Sequence, residues 1–244
     1  MAGDAHDPNA YRDERRKLAV LCRILGQLGY VGEFGHISYR VPETEIVLIT
    51  PGAGSEKTMV AADQIFVYDI DANLLHHPRG FNIPLEFPIH TRIHRDRPEV
   101  GCVAHLHAPN STLLGIVDRP IVPVINQAFY LHEGVPTWDD PSLVVNDDQA
   151  GDLSATLGDK VACQMRGHGS VVIGETLEIG LMNCYTVEEN AGLQIAADKL
   201  GGAKPFDQQV VEGIARYRTA MRDAIAEVLW TYFERRALMT GVPL

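Results

Sequence analysis

The amino-acid sequence predicts an α/β fold, formed by one domain over residues 1–244 with a core at 10–205 and a helical segment at 206–244. Segments with helical spacing alternate with short apolar segments typical of strands, which is the pattern of an α/β domain. The sequence contains no internal repeat and no linker rich in Gly, Ser or charge. Its composition, 45% hydrophobic and 22% charged, excludes the disordered, collagen-like and coiled-coil classes.

The first predicted elements are a helix and two strands. Apolar residues recur every three or four positions over residues 11–28, which predicts a helix with one buried face. Gly29 or Gly32 is expected to end this helix. Short apolar runs predict strands at 37–41 and 46–49.

A glycine-rich loop follows the second strand at residues 50–55. Glycine allows backbone amides to approach a ligand closely, and loops held by a rigid scaffold often carry binding residues. We therefore predict a substrate-binding loop that includes Thr50, Gly52 and Ser55.

The remaining elements continue the alternation. A strand at 65–70, a turn at 71–73 and a strand from residue 74 onward predict a hairpin. A helix opened by proline at 88–97 precedes a buried strand at 100–106. Further helices are predicted at 111–117, 148–157, 177–200 and 210–238, and further strands at 121–125, 160–164 and 170–173.

Charge and hydropathy limit the partners and the location. The formal net charge of −11 repels phosphate backbones, which argues against a nucleic-acid partner. A membrane span needs about 18 consecutive apolar residues, and every apolar stretch of this sequence is much shorter. Residues 1–10 lack the apolar core of a signal peptide. We therefore expect a cytoplasmic protein with no membrane partner. Its four scattered cysteines are expected to be buried core residues.

Two histidines, His105 and His107, lie at the end of the apolar strand predicted at 100–106, with His107 directly after it. Residues i and i+2 of a strand project from the same face, so both imidazoles can reach one ion. A catalytic metal site needs about three protein ligands. His168, flanked by glycines between two predicted strands, is the best third ligand. Each histidine taken alone is also compatible with a hydrogen-bonded structural role.

Glu86 lies between apolar and proline neighbours. Partial desolvation there is expected to raise the pKa of its carboxyl group and suit it to move protons near neutral pH. The alternative is an acidic residue at the start of the following helix, where it complements the helix dipole.

Five motifs occur together in order and spacing: Gly35-His36-Ile37-Ser38, Ile49-Thr50-Pro51-Gly52, Glu86, Val103-Ala104-His105-Leu106-His107 and Arg166-Gly167-His168-Gly169. The chain resembles the class II aldolase/adducin family in this ordered set, over about residues 15 to 200. The resemblance implies a three-layer α/β/α sandwich with a mainly antiparallel central sheet, and a homotetramer with sites at subunit interfaces. It also implies one divalent metal ion per subunit on His105, His107 and His168, with Glu86 as the acid/base.

The metal and the neighbouring residues are less defined. Imidazole suits several first-row ions, so we expect Zn²⁺ or Mn²⁺, with Fe²⁺ or Co²⁺ as alternatives. The resemblance places Gln127 and Tyr130 near a neighbouring subunit's site. His90 is a candidate for orienting Glu86, or a core or surface residue.

Two departures from the family's sugar-phosphate aldolases bear on the substrate. Those enzymes carry two serines directly before the catalytic glutamate, where this chain has Pro84-Leu85, and an asparagine where it has His36. A phosphate would lose several hydrogen bonds, each worth about 1.5–3 kcal/mol. An apolar wall of Leu85 and Phe87 instead favours a flat hydroxy-aromatic or heteroaromatic carboxylate.

These features are similar to those of the family's decarboxylase branch, so we predict a decarboxylase in which His36 assists Glu86. Three alternatives remain: a retro-aldol lyase or epimerase acting on a sugar-like or hydroxy-keto substrate, an iron-dependent oxygenase, and a non-catalytic adducin-like module. Aromatic residues at Trp230, Tyr232 and Phe233 serve either the core or a contact with another subunit.

Overall fold

The structure is a computed structural model and describes residues 10–239, 241, 243 and 244. The prediction that residues 1–10 form no signal peptide concerns residues 1–9, which lie outside the described part of the chain, and residue 10. The helices are α1 (Arg12–Gln27), α2 (Phe87–Asp96), α3 (Pro109–Ile116), α4 (Asp147–Leu157), α5 (Leu177–Lys199), α6 (Gln208–Thr219) and α7 (Arg222–Leu238). The strands are β1 (His36–Arg40), β2 (Ile46–Ile49), β3 (Phe66–Asp69), β4 (Leu74–His76), β5 (Cys102–Leu106), β6 (Thr137–Trp138), β7 (Ala162–Met165) and β8 (Gly169–Gly174).

One eight-stranded sheet has the order β4-β3-β2-β1-β5-β8-β7-β6. Its neighbouring strands run antiparallel, except for the parallel pair of β6 and β7. The predicted α/β class is confirmed, and the sheet is mixed with mostly antiparallel pairing. In the register of β1 and β5, His36 lies directly opposite His105.

Side chains alternate between the two faces of the sheet along each strand. Each face is covered, because its side chains pack with helices in an apolar cluster. Cys102, Ala104 and Leu106 of β5 belong to a large apolar cluster shared with α1, α5 and α7. Val103 between them belongs to a second cluster shared with α2 and α4. The four cysteines are buried and free, as predicted.

The N-terminal helix ends near its predicted boundary. Helix α1 runs to Gln27, and Gly29 follows with a φ of 75°. This left-handed conformation favours glycine and is typical of a residue that ends a helix.

Two predicted elements are wrong. Residues 121–125 form no strand, because side chains of α5 satisfy their backbone. Asn190 accepts from the amide of Val124 and donates to the carbonyl of Val122, while Gln194 accepts from the amide of Val122. The single helix predicted at 210–238 is two helices, α6 and α7, because α6 packs against the 3-10 helix Asn126–Leu131 whereas α7 packs against α1 and α5.

The aromatic residues of α7 divide between core and surface. Trp230 and Phe233 are buried in the large apolar cluster, whereas Tyr232 is exposed. Among the described residues, no helix combines the length and apolar character needed to cross a membrane.

Candidate metal centre

Three histidines reach one point from two parts of the sheet. His105 lies near the end of β5, and His107 follows two residues later on the same side. His168 lies in the turn between β7 and β8, where Gly167 adopts a φ of 67°. The turn is closed by a hydrogen bond from the His168 amide to the Met165 carbonyl.

The ring nitrogens and one carboxylate converge at this point. Nε2 of His105 lies 3.0 Å from Nε2 of His107 and 3.2 Å from Oε2 of Glu86. Nε2 of His168 lies 3.4 Å from the same Glu86 oxygen. One ligand atom from each of the four residues lies within 4.8 Å of all the others.

The donor set fits a divalent metal ion. Ligand atoms about 2.0–2.1 Å from a tetrahedral ion are separated from one another by about 3.3 Å, close to the distances in this cluster. Nε2 of His168 is buried and has no hydrogen-bond partner among the described residues. An unpaired buried nitrogen is costly, and a metal ion would satisfy it.

Glu86 precedes α2 directly, but its side chain does not cap that helix. Instead, Oε1 accepts a hydrogen bond of 3.0 Å from the amide of Val144, which leaves Oε2 directed at the histidines. Burial raises the pKa of the Glu86 carboxyl group, but the adjacent imidazoles of His105 and His168, together with the Val144 amide, lower that pKa further than burial raises it. The expected net rise in pKa is therefore wrong, because the neighbouring imidazoles and the Val144 amide stabilise the carboxylate.

His36 lies beside this centre, and its partner is His90. The ring of His36 lies 5.1 Å from that of His105, and its Nδ1 lies 2.6 Å from Nε2 of His90. Burial lowers the pKa of both His36 and His90 well below the usual value. His90 makes no hydrogen bond with Glu86 among the described residues. The suggestion that it orients Glu86 is therefore wrong, since it binds His36 instead.

A cavity of about 470 Å³ opens onto the centre, within the size range of ligand pockets. His36, Glu86, His107 and His168 line it on one side. The remaining wall is apolar, apart from Gly167, and is formed by Phe34, Ala53, Pro84, Leu85, Pro141 and Leu143. Leu85, predicted from the sequence to form this wall, is 77% exposed.

The predicted binding loop supports the cavity mainly from behind. The hydroxyl of Thr50 accepts from the amide of Ile37, and the hydroxyl of Ser55 donates to the carbonyl of Gly52. The amide of Gly52 donates a hydrogen bond to the backbone carbonyl of Asn82. A Cβ atom at Gly52 would lie 2.9 Å from Cα of Pro84, so glycine permits this close approach.

Three other predicted residues lie outside the cavity wall. Phe87 packs edge-on against Tyr68, with ring centroids 4.3 Å apart. Gln127 and Tyr130 line a separate apolar groove beside α5 and α7, where the Tyr130 hydroxyl donates to the carbonyl of Met182.

Sequence reasoning missed Phe34, Leu143 and the amide of Val144. Phe34 lies in a turn before β1, Leu143 lies in the irregular segment before α4, and both side chains are more than half exposed. The lone phenylalanine between Glu33 and Gly35 was the available signal for Phe34, whereas Leu143 begins an apolar run with Val144 and Val145 and gave no signal of its own. The contact with Val144 has no side-chain signal, because only its backbone contributes.

A model of the class II aldolase and adducin N-terminal domain matches residues 16–195 of this chain. The chain belongs to the class II aldolase and adducin family. A 3,4-dihydroxyphthalate decarboxylase from Arthrobacter keyseri is 29% identical over 211 residues, which cover 82% of this chain and 85% of the relative. A 4-hydroxy-3-prenylphenylpyruvate oxygenase/4-hydroxy-3-prenylbenzoate synthase from Streptomyces roseochromogenus is 30% identical, covering 86% of this chain and 80% of the relative.

The fold agrees with this family. An aldolase II superfamily protein from Pseudomonas syringae superposes with a TM-score of 0.83 at 22% identity, covering 99% of this chain and 96% of that structure. Family membership and decarboxylase-named relatives identify the chain as a class II aldolase-family lyase.

Proposed function

We propose that this class II aldolase-family chain is a divalent-metal-dependent decarboxylase of a hydroxy-aromatic or heteroaromatic carboxylic acid. The observation that carries the proposal is the convergence of three imidazole nitrogens and one carboxylate oxygen at the base of a cavity with an otherwise apolar wall. The ionic groups suit a chelating acid, and the apolar wall suits a flat ring. We further infer that helices on both sheet faces make the three-layer arrangement of the family.

His105, His107 and His168 would hold the metal, with Zn²⁺ or Mn²⁺ as first candidates and Fe²⁺ or Co²⁺ as alternatives. When bound, such an ion acts as a Lewis acid that stabilises negative charge on substrate oxygens. Nε2 would be the donor atom of His105 and His107, because these two nitrogens lie 3.0 Å apart.

Glu86 supplies the proton transfer. A carboxyl group with an ordinary pKa is already ionised at neutral pH, and Oε2 faces the histidines, so it can accept a proton from a ring hydroxyl of the substrate. Oε2 then returns that proton to the ring carbon bearing the carboxylate. The bond between this carbon and the carboxylate breaks, its electron pair stays with the ring, and carbon dioxide leaves. The phenolate product takes its final proton from water.

The substrate class follows from what lines the cavity. Pro84 and Leu85 offer no hydroxyl donors beside Glu86, so a compact phosphate would leave its oxygens unpaired. An aromatic face can pack on Phe34, Leu85 and Leu143 instead. The relatives named 3,4-dihydroxyphthalate decarboxylase support an aromatic acid as substrate.

We also infer a homotetramer in which Gln127 and Tyr130 act near a neighbouring subunit's site. The groove that they line within one chain is apolar and includes Met221, Val228 and Leu229. Each of the four sites would then be completed by two subunits.

Metal-loaded protein incubated with a panel of hydroxybenzoate-type acids and, separately, with hydroxy-ketones tests the proposed reaction. Release of carbon dioxide from an aromatic acid, absent in the chelator-treated protein, is the expected result. Aldehyde formation from a hydroxy-ketone without decarboxylation would instead establish a retro-aldol lyase. Protein that takes up no divalent ion on dialysis would favour an adducin-like module.

An iron-dependent oxygenase is the second candidate, because the relative from Streptomyces roseochromogenus carries an oxygenase name at 30% identity. Imidazole ligands also suit Fe²⁺, and metal availability often decides which first-row ion is bound. Dioxygen consumption by the Fe²⁺-loaded protein with a hydroxyphenylpyruvate-type acid, measured with an oxygen electrode, separates this activity from decarboxylation.

A further inference from the structure

A continuous line of buried hydrogen bonds leads away from the cavity behind His36. Nδ1 of His36 lies 2.6 Å from Nε2 of His90, and Nδ1 of His90 lies 2.6 Å from the hydroxyl of Ser38. The same hydroxyl lies 2.8 Å from Nε2 of His94, whose Nδ1 lies 3.1 Å from the carbonyl of Val100. We call His36, His90, Ser38 and His94 the histidine relay.

Local geometry builds the relay. His36 and Ser38 are two residues apart on β1, so their side chains share one sheet face. His90 and His94 are four residues apart on α2, so they lie one turn apart on the same helix side. All four side chains are almost completely buried, with Ser38, His90 and His94 at 0% exposure.

The carbonyl of Val100 sets the direction of every hydrogen bond in the relay. A carbonyl only accepts, so Nδ1 of His94 carries a proton and donates. Burial lowers the pKa of His94 to about 4, so the ring is neutral at pH 7 and its Nε2 must accept. Ser38 therefore donates to His94 and accepts from Nδ1 of His90.

The same logic reaches the cavity. Because Nδ1 of neutral His90 carries its proton, Nε2 of His90 must accept, and Nδ1 of His36 donates to it. Neutral His36 then has no proton on Nε2. That nitrogen has no hydrogen bond with the described residues, and the His36 ring lines the cavity.

We propose that Ser38, His90 and His94 are positioning residues that hold His36 in the tautomer with Nε2 unprotonated, so that His36 accepts a hydrogen bond from a hydroxyl group of the substrate. The hydroxyl as partner rests on the proposed function, whereas the tautomer does not. His36 is thereby a specificity-determining residue. It selects a neutral donor at this position and disfavours a carboxylate or phosphate oxygen, because two acceptors facing each other leave both unpaired.

Nitrogen-15 NMR of histidine-labelled, zinc-loaded full-length protein at neutral pH tests the tautomer. Protonated and unprotonated ring nitrogens have well-separated shifts, and comparison with His36→Asn assigns the His36 signals. We expect a protonated Nδ1 and an unprotonated Nε2 on His36. A protonated Nε2 on His36 would overturn the proposal whether or not the protein decarboxylates aromatic acids.

Ser38→Ala interrupts the relay at its centre without touching the cavity wall. We expect the variant to show His36 in a mixture of tautomers while it retains zinc. Ser38→Thr, which keeps the hydroxyl, should restore the single tautomer. An unchanged single tautomer in Ser38→Ala would show that the relay does not control His36. The measurement on the unaltered protein stands even if a variant fails to fold.

Calorimetric binding of hydroxybenzoates and of the matching fluorobenzoates tests the hydroxyl partner, because fluorine is close in size but cannot donate. The unaltered protein should prefer at least one hydroxy acid over its fluoro counterpart by about tenfold, and Ser38→Ala should lose most of this preference. Equal affinity within every bound pair would overturn acceptance by His36. Failure of all these acids to bind, with the tautomer as expected, would overturn the aromatic substrate and leave the relay intact.

Discussion

At the scale of single residues, the histidines of this chain divide into two groups by what their nitrogens contact. His105, His107 and His168 direct nitrogens at one another and at Glu86, where an ion would relieve the crowding of acceptors. His36, His90 and His94 instead satisfy one another or Ser38, as neutral buried rings do. The same residue type therefore forms a candidate metal site at one end of the sheet and a hydrogen-bond relay between β1 and α2.

Replacing a ligand tests the metal site. Loss of an outer-shell partner alone weakens metal binding by about 10–100-fold, so His105→Ala should weaken it by more than this. Competition with a chromophoric chelator, with metal content by mass spectrometry, measures the loss. His77→Ala is the matched control, because His77 is exposed and contacts the carbonyl of Phe81 and the ring of Phe66 instead of the ligand cluster. Equal metal affinity in the two variants would contradict the assigned ligands.

Glu86→Gln separates proton transfer from structure. The amide oxygen of glutamine can still accept from Val144, so the fold and the metal should be retained. The variant cannot carry a proton between substrate atoms, so kcat should fall by about 10²–10⁴-fold. Steady-state kinetics on the metal-loaded variant provide the measurement, and turnover close to that of the unaltered protein would remove Glu86 from the reaction.

The relay also predicts how stability depends on pH. Burial lowers the pKa of His94 from the usual 6.5 to about 4, so the folded chain binds fewer protons than the unfolded chain between these values. Stability contributed at this site is present above about pH 6.5 and is lost as the pH falls toward 4. Between pH 7 and 5, the unaltered protein should lose on the order of 2 kcal/mol more than His94→Gln. Urea unfolding with a chelator present tests this, and identical pH slopes would refute it.

At the scale of elements, the start of α3 depends on a residue far away in sequence. Helix α3 begins two residues after the predicted ligand His107, and its first amides need acceptors. Buried Glu188 of α5 supplies them, because Oε1 accepts from Asn110 at 2.6 Å and Oε2 accepts from Ser111 at 2.9 Å. This contact links the helix after the candidate metal site to the long helix α5.

Removing that acceptor should destabilise the fold. Glu188→Ala leaves two amides without their charged partner and should lower the free energy of unfolding by about 3 kcal/mol. Glu189→Ala, at the exposed neighbouring position, should change it by less than about 0.5 kcal/mol. Urea unfolding of both variants gives the comparison, and equal effects would show that Glu188 does not support α3.

Elements were predictable where periodicity decided them. Apolar spacing placed α1, and alternation placed the hairpin of β3 and β4. Residues 121–125 have the same apolar composition as a strand, but amide side chains of Asn190 and Gln194 replace the neighbouring strand. A local pattern cannot distinguish these outcomes, because the partner lies about 70 residues away.

At the scale of the whole molecule, the C-terminal helices leave apolar side chains uncovered within one chain. Tyr217, Val228, Tyr232 and Met239 are each more than half exposed on or beside α6 and α7. Large exposed apolar patches commonly mark protein contacts. This surface adjoins the groove lined by Gln127 and Tyr130, the residues proposed to act near a neighbouring subunit.

The homotetramer proposal predicts a mass in solution of four times the 26.8 kDa of one chain. Multi-angle light scattering at micromolar concentration measures it. Val228→Lys should lower the mass, because a buried unpaired charge opposes association, whereas Lys204→Ala in the exposed segment before α6 should not. A single-chain mass for the unaltered protein would exclude shared sites.

The sequence by itself determined the α/β class, the metal-ligand candidates and Glu86, because strand periodicity and ordered motifs are local properties of the chain. Only the tertiary structure decided that Glu86 turns away from its helix toward the histidines, that His90 serves His36, and that Thr50 and Gly52 support the cavity from behind. These outcomes depend on which groups meet across strands and helices. The role of a carboxylate, an imidazole or an amide depends on its hydrogen-bond partner. That partner is often far away in the sequence, so only the folded chain brings the two groups together.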